Sequence, residues 1–369
     1  MTLITFLILF GGLVLLVIGA ELLVKGASNL AGILGIPPLI IGLTIVAYGT
    51  SSPEMAVSVM SSWAGQADLA VGNVVGSNIF NVLLILGLSA LVTPLIVTRQ
   101  LIRSDVPIMI GVSILLLMFG LDGKISRVDG IIFFVGGVIY TLSLVYQSRQ
   151  PNNNSEQDEF TREYGYTGER SRIIWFKDLV FIVGGLGLLV LGSRWLVDSA
   201  TTIARALGVS DLLIGLTIVS AGTSLPELAT SVIASLRGER DIAVGNVLGS
   251  NIFNILAVLG LAGIVAPNGL NVSESIIEFD VPVAIAVAFA CLPIFYSGNQ
   301  INRWEGLLFV FYYLAYVGYL ILNAINHDSL PVYTTIMLFF VIPLTVITLV
   351  AAMLQERQAR RKKKMDRHL

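Results

Sequence analysis

The chain contains one segment twice. Residues 34–87 read LGIPPLIIGLTIVAYGTSSPEMAVSVMSSWAGQADLAVGNVVGSNIFNVLLILG, and residues 207–260 read LGVSDLLIGLTIVSAGTSLPELATSVIASLRGERDIAVGNVLGSNIFNILAVLG. At a constant offset of 173, without a gap, 34 of the 54 positions are identical. The upstream stretches LLVIGAELLV and LLVLGSRWLV align at the same offset. A duplication kept only as scaffold retains its apolar pattern. Here the matched positions are polar and sit inside apolar runs, where polar groups are costly and mark function.

The surroundings of these motifs fix the solvent. The 369 residues are 55% hydrophobic and 12% charged, about half the charge fraction of a soluble domain. Stretches near the roughly 20 apolar residues that cross a bilayer fall at about 3–24, 36–63, 69–93, 104–121, 127–147, 174–206, 209–236, 242–265, 279–297, 304–323 and 332–354. The N-terminal stretch lacks a basic n-region and a small-residue cleavage site, so it reads as a retained helix. The single cysteine, Cys291, excludes an intrachain disulfide.

The one sizeable break, Gln147 to Phe176, is polar and separates two groups of five spans. With the N-terminus outside, 18 of the 22 Lys and Arg residues fall on the cytoplasmic side, among them the basic tail QERQARRKKKMDRHL. Five helices per copy is an odd number, so the second copy enters the membrane from the opposite side. The expected fold is an all-α polytopic membrane protein of two inverted five-helix repeats plus a C-terminal eleventh helix. Its parts are 1–147, first repeat; 148–173, cytoplasmic linker loop; 174–323, second repeat; and 324–369, extra helix and basic tail.

Each copy carries GTSxPE: Gly49, Thr50, Ser51, Pro53 and Glu54, then Gly222, Thr223, Ser224, Pro226 and Glu227. Pro53 has no N–H, so the carbonyl of Gly49 loses its helical partner; Pro226 does the same to Gly222. Carbonyls freed near Ala47 and Ser220 become oxygen ligands for a hard cation. A carboxylate at mid-bilayer costs roughly 2.5–3.5 kcal/mol, so Glu54 and Glu227 each need a cation or a proton. Thr50, Ser51, Thr223 and Ser224 add hydroxyls one turn earlier. Oxygen ligands with two carboxylates suit Ca2+ better than a transition metal. In a soluble protein S-x-P-E is usually a helix N-cap, a role compatible with ligation at an interrupted helix.

The second motif, GNVxGSNIFN, gives two stripes at i, i+4, i+8: Asn73, Ser77 and Asn81, then Asn246, Ser250 and Asn254. For Ser77, Asn81, Ser250 and Asn254 the expectation is ligation, because a Na+ site needs neutral oxygens beside a shared carboxylate. Asn73, Asn78, Asn246 and Asn251 read as polar glue between packed helices.

These duplicated motifs resemble the cation/Ca2+ exchanger superfamily, and over residues 1 to about 323 the chain is similar to a prokaryotic-type Na+/Ca2+ exchanger. The resemblance implies a ten-helix fold with one Ca2+-preferring and several Na+ sites. By motif position it implies Glu54 and Glu227 as central acids, and Thr50, Ser51, Ser77, Thr223, Ser224 and Ser250 as hydroxyl ligands. Asn81 and Asn254 fall on the paired amide or acid positions, and Ala47 and Ser220 on the carbonyl ligands. It also implies that the first and sixth helices slide across the core. These carry Glu21 with Lys25, and Arg194 with Asp198, which can neutralise each other at i, i+4.

Two departures refine the expectation. Asn254 stands where K+-dependent exchangers carry Asp, so no K+ requirement is expected. The GNxxE signature of Ca2+/H+ exchangers is absent, Gly76 and Gly249 occupying its acidic position. The expected function is a Na+/Ca2+ antiporter working by alternating access, with Ca2+/H+ antiport as the alternative. It is not an enzyme: no histidine lies in a span to activate Ser51 or Ser224. Ca2+ and Na+ are the substrates and the lipid bilayer of the plasma (inner) membrane is the medium. No cofactor, nucleic acid or obligatory protein partner is expected.

Overall fold

The computed structural model describes residues 3–149, 172–208, 218, 220–296, 298–348 and 350. Most of the expected linker, the start of the seventh span, the side chain of Ser220 and the basic tail lie outside the described residues. The first half runs α1 (Leu3–Leu34), α2 (Pro38–Thr50), α3 (Ser52–Trp63), α4 (Ala67–Val92), α5 (Leu101–Gly120) and α6 (Arg127–Arg149). The second runs α7 (Arg172–Ala206), α8 (Ser220–Gly222), α9 (Leu225–Leu236), α10 (Arg240–Val265), α11 (Ile276–Tyr296) and α12 (Arg303–Ala324). A last helix, α13 (Leu330–Thr348), follows.

Among the described residues, nine helices are long and apolar enough to cross a membrane. The two expected spans missing from that set, 36–63 and 209–236, are the ones that carry GTSxPE, and both are broken there. At the breaks Ser51 (φ −80°, ψ 9°) and Ser224 (φ −89°, ψ 7°) leave helical geometry, with Pro53 and Pro226 opening the helices that follow. The carbonyls that the prolines deprive of a partner are taken up by hydroxyls. Ser52 Oγ donates to the Gly49 carbonyl at 2.7 Å. Leu225 replaces Ser52 in the second copy, and there Ser193 of α7 donates to the Gly222 carbonyl at 2.6 Å.

The repeated helices are also the innermost. In α4 and α10, 78% and 83% of the apolar window is buried, against 22% for α1, 28% for α7 and none for α13. Each of the two central helices widens into a π-helical turn, Asn81–Leu86 and Asn254–Leu259, opened by the asparagine of its motif. Such turns shift the register of everything that follows and recur at functional sites.

Two short ladders join the halves. β1 (Leu95–Ile96) pairs antiparallel with β4 (Gln300–Ile301), and β2 (Lys124–Ile125) with β3 (Leu270–Asn271). Each ladder takes one strand from each half, and exchanging the halves converts one into the other.

α1 and α7 lie backbone against backbone. A Cβ added at Gly12 would stand 2.8 Å from the Gly192 carbonyl oxygen, and one at Gly19 would stand 2.8 Å from that of Gly185. The charges on these helices do not pair as the spacing suggests. Glu21 bridges to Arg237 in the α9–α10 turn, at 2.5 Å, rather than to Lys25. Beside it Ser28 donates to Glu239 at 2.6 Å, and Asn29 to Asp178 at 2.9 Å.

The duplication extends further than its ungapped stretch. Asp105-Val106-Pro107 recurs as Asp280-Val281-Pro282, and Tyr140 and Tyr316 donate to the two aspartates at 3.0 and 2.8 Å. Asp105 is 1% exposed and its Oδ2 has no hydrogen-bond partner; Asp280 is only part-buried. Leaving a buried acceptor unsatisfied costs about 1–3 kcal/mol. Tyr140→Phe is therefore expected to lower the thermal midpoint of the purified protein more than Tyr316→Phe does. Equal shifts for the two would contradict this assignment.

Candidate cation site

Interrupting a helix puts its free N-terminal groups and first side chains at membrane depth, where protein must cover them. Here the cover of each break is the other break. Ser51 stands at an N-cap position, yet its hydroxyl caps nothing on its own helix. It reaches across the molecule and donates to Glu227 Oε1 at 2.8 Å. Ser224 likewise makes no cap on α9 and donates to Glu54 Oε1 at 2.9 Å. The two acidic motifs are thus interlocked, each carboxylate held by the serine that opens the opposite motif.

The second motif repeats the exchange. Asn73 Nδ2 donates to Ser58 Oγ at 3.0 Å, and its Oδ1 accepts from Thr223 Oγ1 at 3.2 Å. Asn246 Nδ2 donates to Ser231 Oγ at 2.9 Å, and its Oδ1 accepts from Thr50 Oγ1 at 3.1 Å. Ser77 Oγ lies 3.0 Å from Ser224 Oγ. Asn81 and Asn254 donate through their amide nitrogens to Asn251 Oδ1 and Asn78 Oδ1, at 3.0 and 3.1 Å.

Thr50, Ser51, Glu54, Ser77, Asn81, Ser224, Glu227, Ser250 and Asn254 are all fully buried, as is Ala47. Thr223 is partly exposed. The Ala47 carbonyl, expected free, accepts the N–H of Ser51 at 3.0 Å, with the Thr50 hydroxyl 3.4 Å away. Ser220 lies in the short helix α8, and its side chain lies outside the described residues.

What the network leaves over is informative. Nearly every buried polar atom in a folded protein has a partner. In this network Glu54 Oε2, Glu227 Oε2, Asn81 Oδ1, Asn254 Oδ1 and Ser250 Oγ have none. All five are oxygens, all belong to the two repeated motifs, and they come from both halves. Oxygens only, with two carboxylates among them, match a hard cation. Among the described residues no group of three or more His, Cys, Asp or Glu stands together.

Several contributors escaped sequence reasoning. Asn73, Asn78, Asn246 and Asn251 read as glue, but each contacts a predicted site residue. Ser58 and Ser231 were signalled as identical positions of the alignment. Ser193 carried no signal, since its counterpart is Ala20.

Comparison with known proteins identifies the family and the fold. The family "Sodium/calcium exchanger protein" matches residues 4–148 and 177–322. The putative antiporter CaxA of Alkalimonas amylolytica is 42% identical over 309 residues, covering 84% of this chain and 95% of the relative. The sodium/calcium exchanger MaX1 of Methanosarcina acetivorans is 35% identical over 343 residues, covering 85% and 97%. A solved structure of the sodium-calcium exchanger NCX_Mj superposes with a TM-score of 0.73 at 30% identity, covering 87% of this chain and all of that one. With both halves matched by the family and the whole fold by a solved exchanger, this chain is an integral membrane protein of the sodium/calcium exchanger family, a cation/Ca2+ antiporter of the cation/Ca2+ exchanger superfamily.

Proposed function

We propose that the chain exchanges Na+ for Ca2+ by alternating access, using one site shared between two inverted halves. The observation that carries this reading is the set of five partnerless, buried oxygens on Glu54, Glu227, Asn81, Asn254 and Ser250. Ca2+ between Glu54 and Glu227 is neutralised by two charges. Thr50, Ser51, Thr223, Ser224, Ser77 and the carbonyls of Ala47 and Ser220 complete its oxygen shell or serve flanking Na+ sites. Na+ ions drawing on the same oxygens displace it. Either occupant offsets the buried carboxylates, so reorientation is easier loaded than empty.

The halves are residues 1–147 and 174–323, joined by the linker 148–173 and followed by the segment 324–369. Basic residues in the loops support an N-terminus outside and a C-terminus in the cytoplasm, in a plasma (inner) membrane. In that orientation Thr223 and Asn73, which are partly exposed, lie toward the outside. Their counterparts Thr50 and Asn246, which are fully buried, lie toward the cytoplasm.

Na+ is favoured over H+ as the driving ion by two observations. The amides of Asn81 and Asn254 leave only two carboxylates at the site. Gly76 and Gly249 stand where Ca2+/H+ exchangers carry Glu, and at Gly249 an added Cβ would lie 2.7 Å from the backbone of Leu43. Reconstituted into liposomes loaded with Na+, the protein should take up radioactive Ca2+ when diluted into Na+-free buffer, with or without K+. Uptake driven by a pH gradient in the complete absence of Na+ would overturn the coupling ion.

A further inference from the structure

On the reading that cations bind here, we propose that Asn78 and Asn251 are positioning residues, which set the amides of Asn81 and Asn254 so that oxygen rather than nitrogen meets the ion. An Asn amide has a donor end and an acceptor end of nearly equal shape. Reversed, it would present N–H groups to a cation and repel it. Something must therefore choose its orientation.

The choice is made by a chain of bonds that starts on the backbone. Asn78 Nδ2 donates to the main-chain carbonyl of Asn251 at 3.1 Å, and Asn251 Nδ2 donates to that of Asn78 at 3.2 Å. A carbonyl can only accept, so the nitrogen end of each of these two amides is fixed. Their oxygen ends then face the other way, and an oxygen can only accept. Asn81 must turn its nitrogen to Asn251 Oδ1, at 3.0 Å, and Asn254 must turn its nitrogen to Asn78 Oδ1, at 3.1 Å. Either amide reversed would set acceptor against acceptor.

The outcome is that Asn81 Oδ1 and Asn254 Oδ1 are directed away from the clasp, buried and without partners. The arrangement crosses between the halves. Asn251 sets Asn81, and Asn78 sets Asn254. These clasp residues are 2% and 6% exposed, so water does not substitute for the bonds they make.

The test exploits the one substitution that makes orientation irrelevant. In an Asn81→Asp background both terminal atoms are oxygens, and the oxygen near Asn251 now faces another acceptor. Full-length protein in detergent is titrated calorimetrically with CaCl2 alone and with NaCl alone. Asn251→Leu in the otherwise wild-type chain should cost roughly tenfold or more in affinity for at least one of the ions, the usual effect of losing an outer-shell partner. In the Asn81→Asp background the same change should cost little or even help, because it removes an acceptor facing an acceptor. An Asn254→Asp background should give no such protection to Asn251→Leu, but should protect Asn78→Leu.

This crossed pattern is a readout that simple loss of packing cannot imitate, since a destabilised fold would lose affinity in every background alike. Equal losses for Asn251→Leu in the wild-type and Asn81→Asp backgrounds would overturn the orienting role alone. A wild-type protein that binds neither ion would overturn the exchanger reading beneath it.

Discussion

Glu54→Gln and Glu227→Gln are each expected to abolish Ca2+ exchange and, at the same time, to stabilise the ion-free protein. The two effects have one cause. Each carboxylate is fully buried, and one of its oxygens accepts from a serine of the opposite motif. The other oxygen has no partner in the protein. Glutamine can still accept the serine's hydrogen bond through its oxygen. Its amide nitrogen then stands where the ion-facing oxygen was, and a donor there opposes a cation.

Removing one partner of a buried charge pair costs about 2–5 kcal/mol, roughly thirtyfold to several thousandfold in affinity. Without the ion the balance reverses, because an uncompensated buried charge is itself strongly destabilising. In a Ca2+ chelator the variants should therefore melt above the wild type. Added Ca2+ should raise the melting point of the wild type only, since ligand stabilisation follows occupancy. Liposome uptake near the wild-type rate in either variant would remove Glu54 and Glu227 from the centre of the mechanism.

Gly249→Val should be nearly as damaging, although it removes no ligand. The added Cβ would lie 2.7 Å from both Cα and O of Leu43, and 2.9 Å from the Ala47 Cβ. Backbone cannot step aside as a side-chain tip can, so α2 must move as a unit. Overpacking of this kind costs about 1–3 kcal/mol in stability. The functional loss is larger, because α2 carries Ala47, Thr50 and the approach to Ser51. A misplacement of about 1 Å in a working site can cost a hundredfold. Gly111→Val serves as the control, with no atom of the described residues within 4 Å of its added Cβ. Full transport by Gly249→Val would show that α2 does not set the site.

How much of this was legible in the sequence differs from residue to residue. Glu54 and Glu227 declared themselves, since a doubled acid in an apolar run is too costly to be incidental. The breaks at Pro53 and Pro226 were legible for the same reason: proline acts locally. What local chemistry cannot give is the identity of a partner 147–176 positions away, such as Glu227 for Ser51 or Ser77 for Ser224. Hence Ser51 was expected as a ligand but not as the partner of Glu227, and Asn251 read as glue without Asn81 as its partner. Glu21 was assigned by helical spacing to Lys25, whereas tertiary packing brought Arg237 to it. The Asp105–Tyr140 tie was hidden by arithmetic. Beyond residue 87 the offset between copies grows from 173 to 175, so an ungapped comparison loses Asp280, and Tyr316 falls one residue further on.

The bridge from Glu21 to Arg237 has a consequence for the energy landscape as a whole. Two identical halves would make the outward and inward states of an alternating exchanger degenerate by symmetry. Under the repeat, the counterpart of this bridge would join Arg194 to Ala64, and that of Ser28–Glu239 would join Thr201 to Gln66. No ion pair can form between an arginine and an alanine. The fastening therefore exists at one end only, and it lifts the degeneracy. With its side chains 43% and 49% exposed, such a bridge contributes roughly 0.2–1 kcal/mol. That shifts the two populations by only a few-fold, since a tenfold shift needs about 1.4 kcal/mol. On the alternating-access mechanism proposed above, this bridge by itself is a mild bias, weak enough for bound ions to overrule.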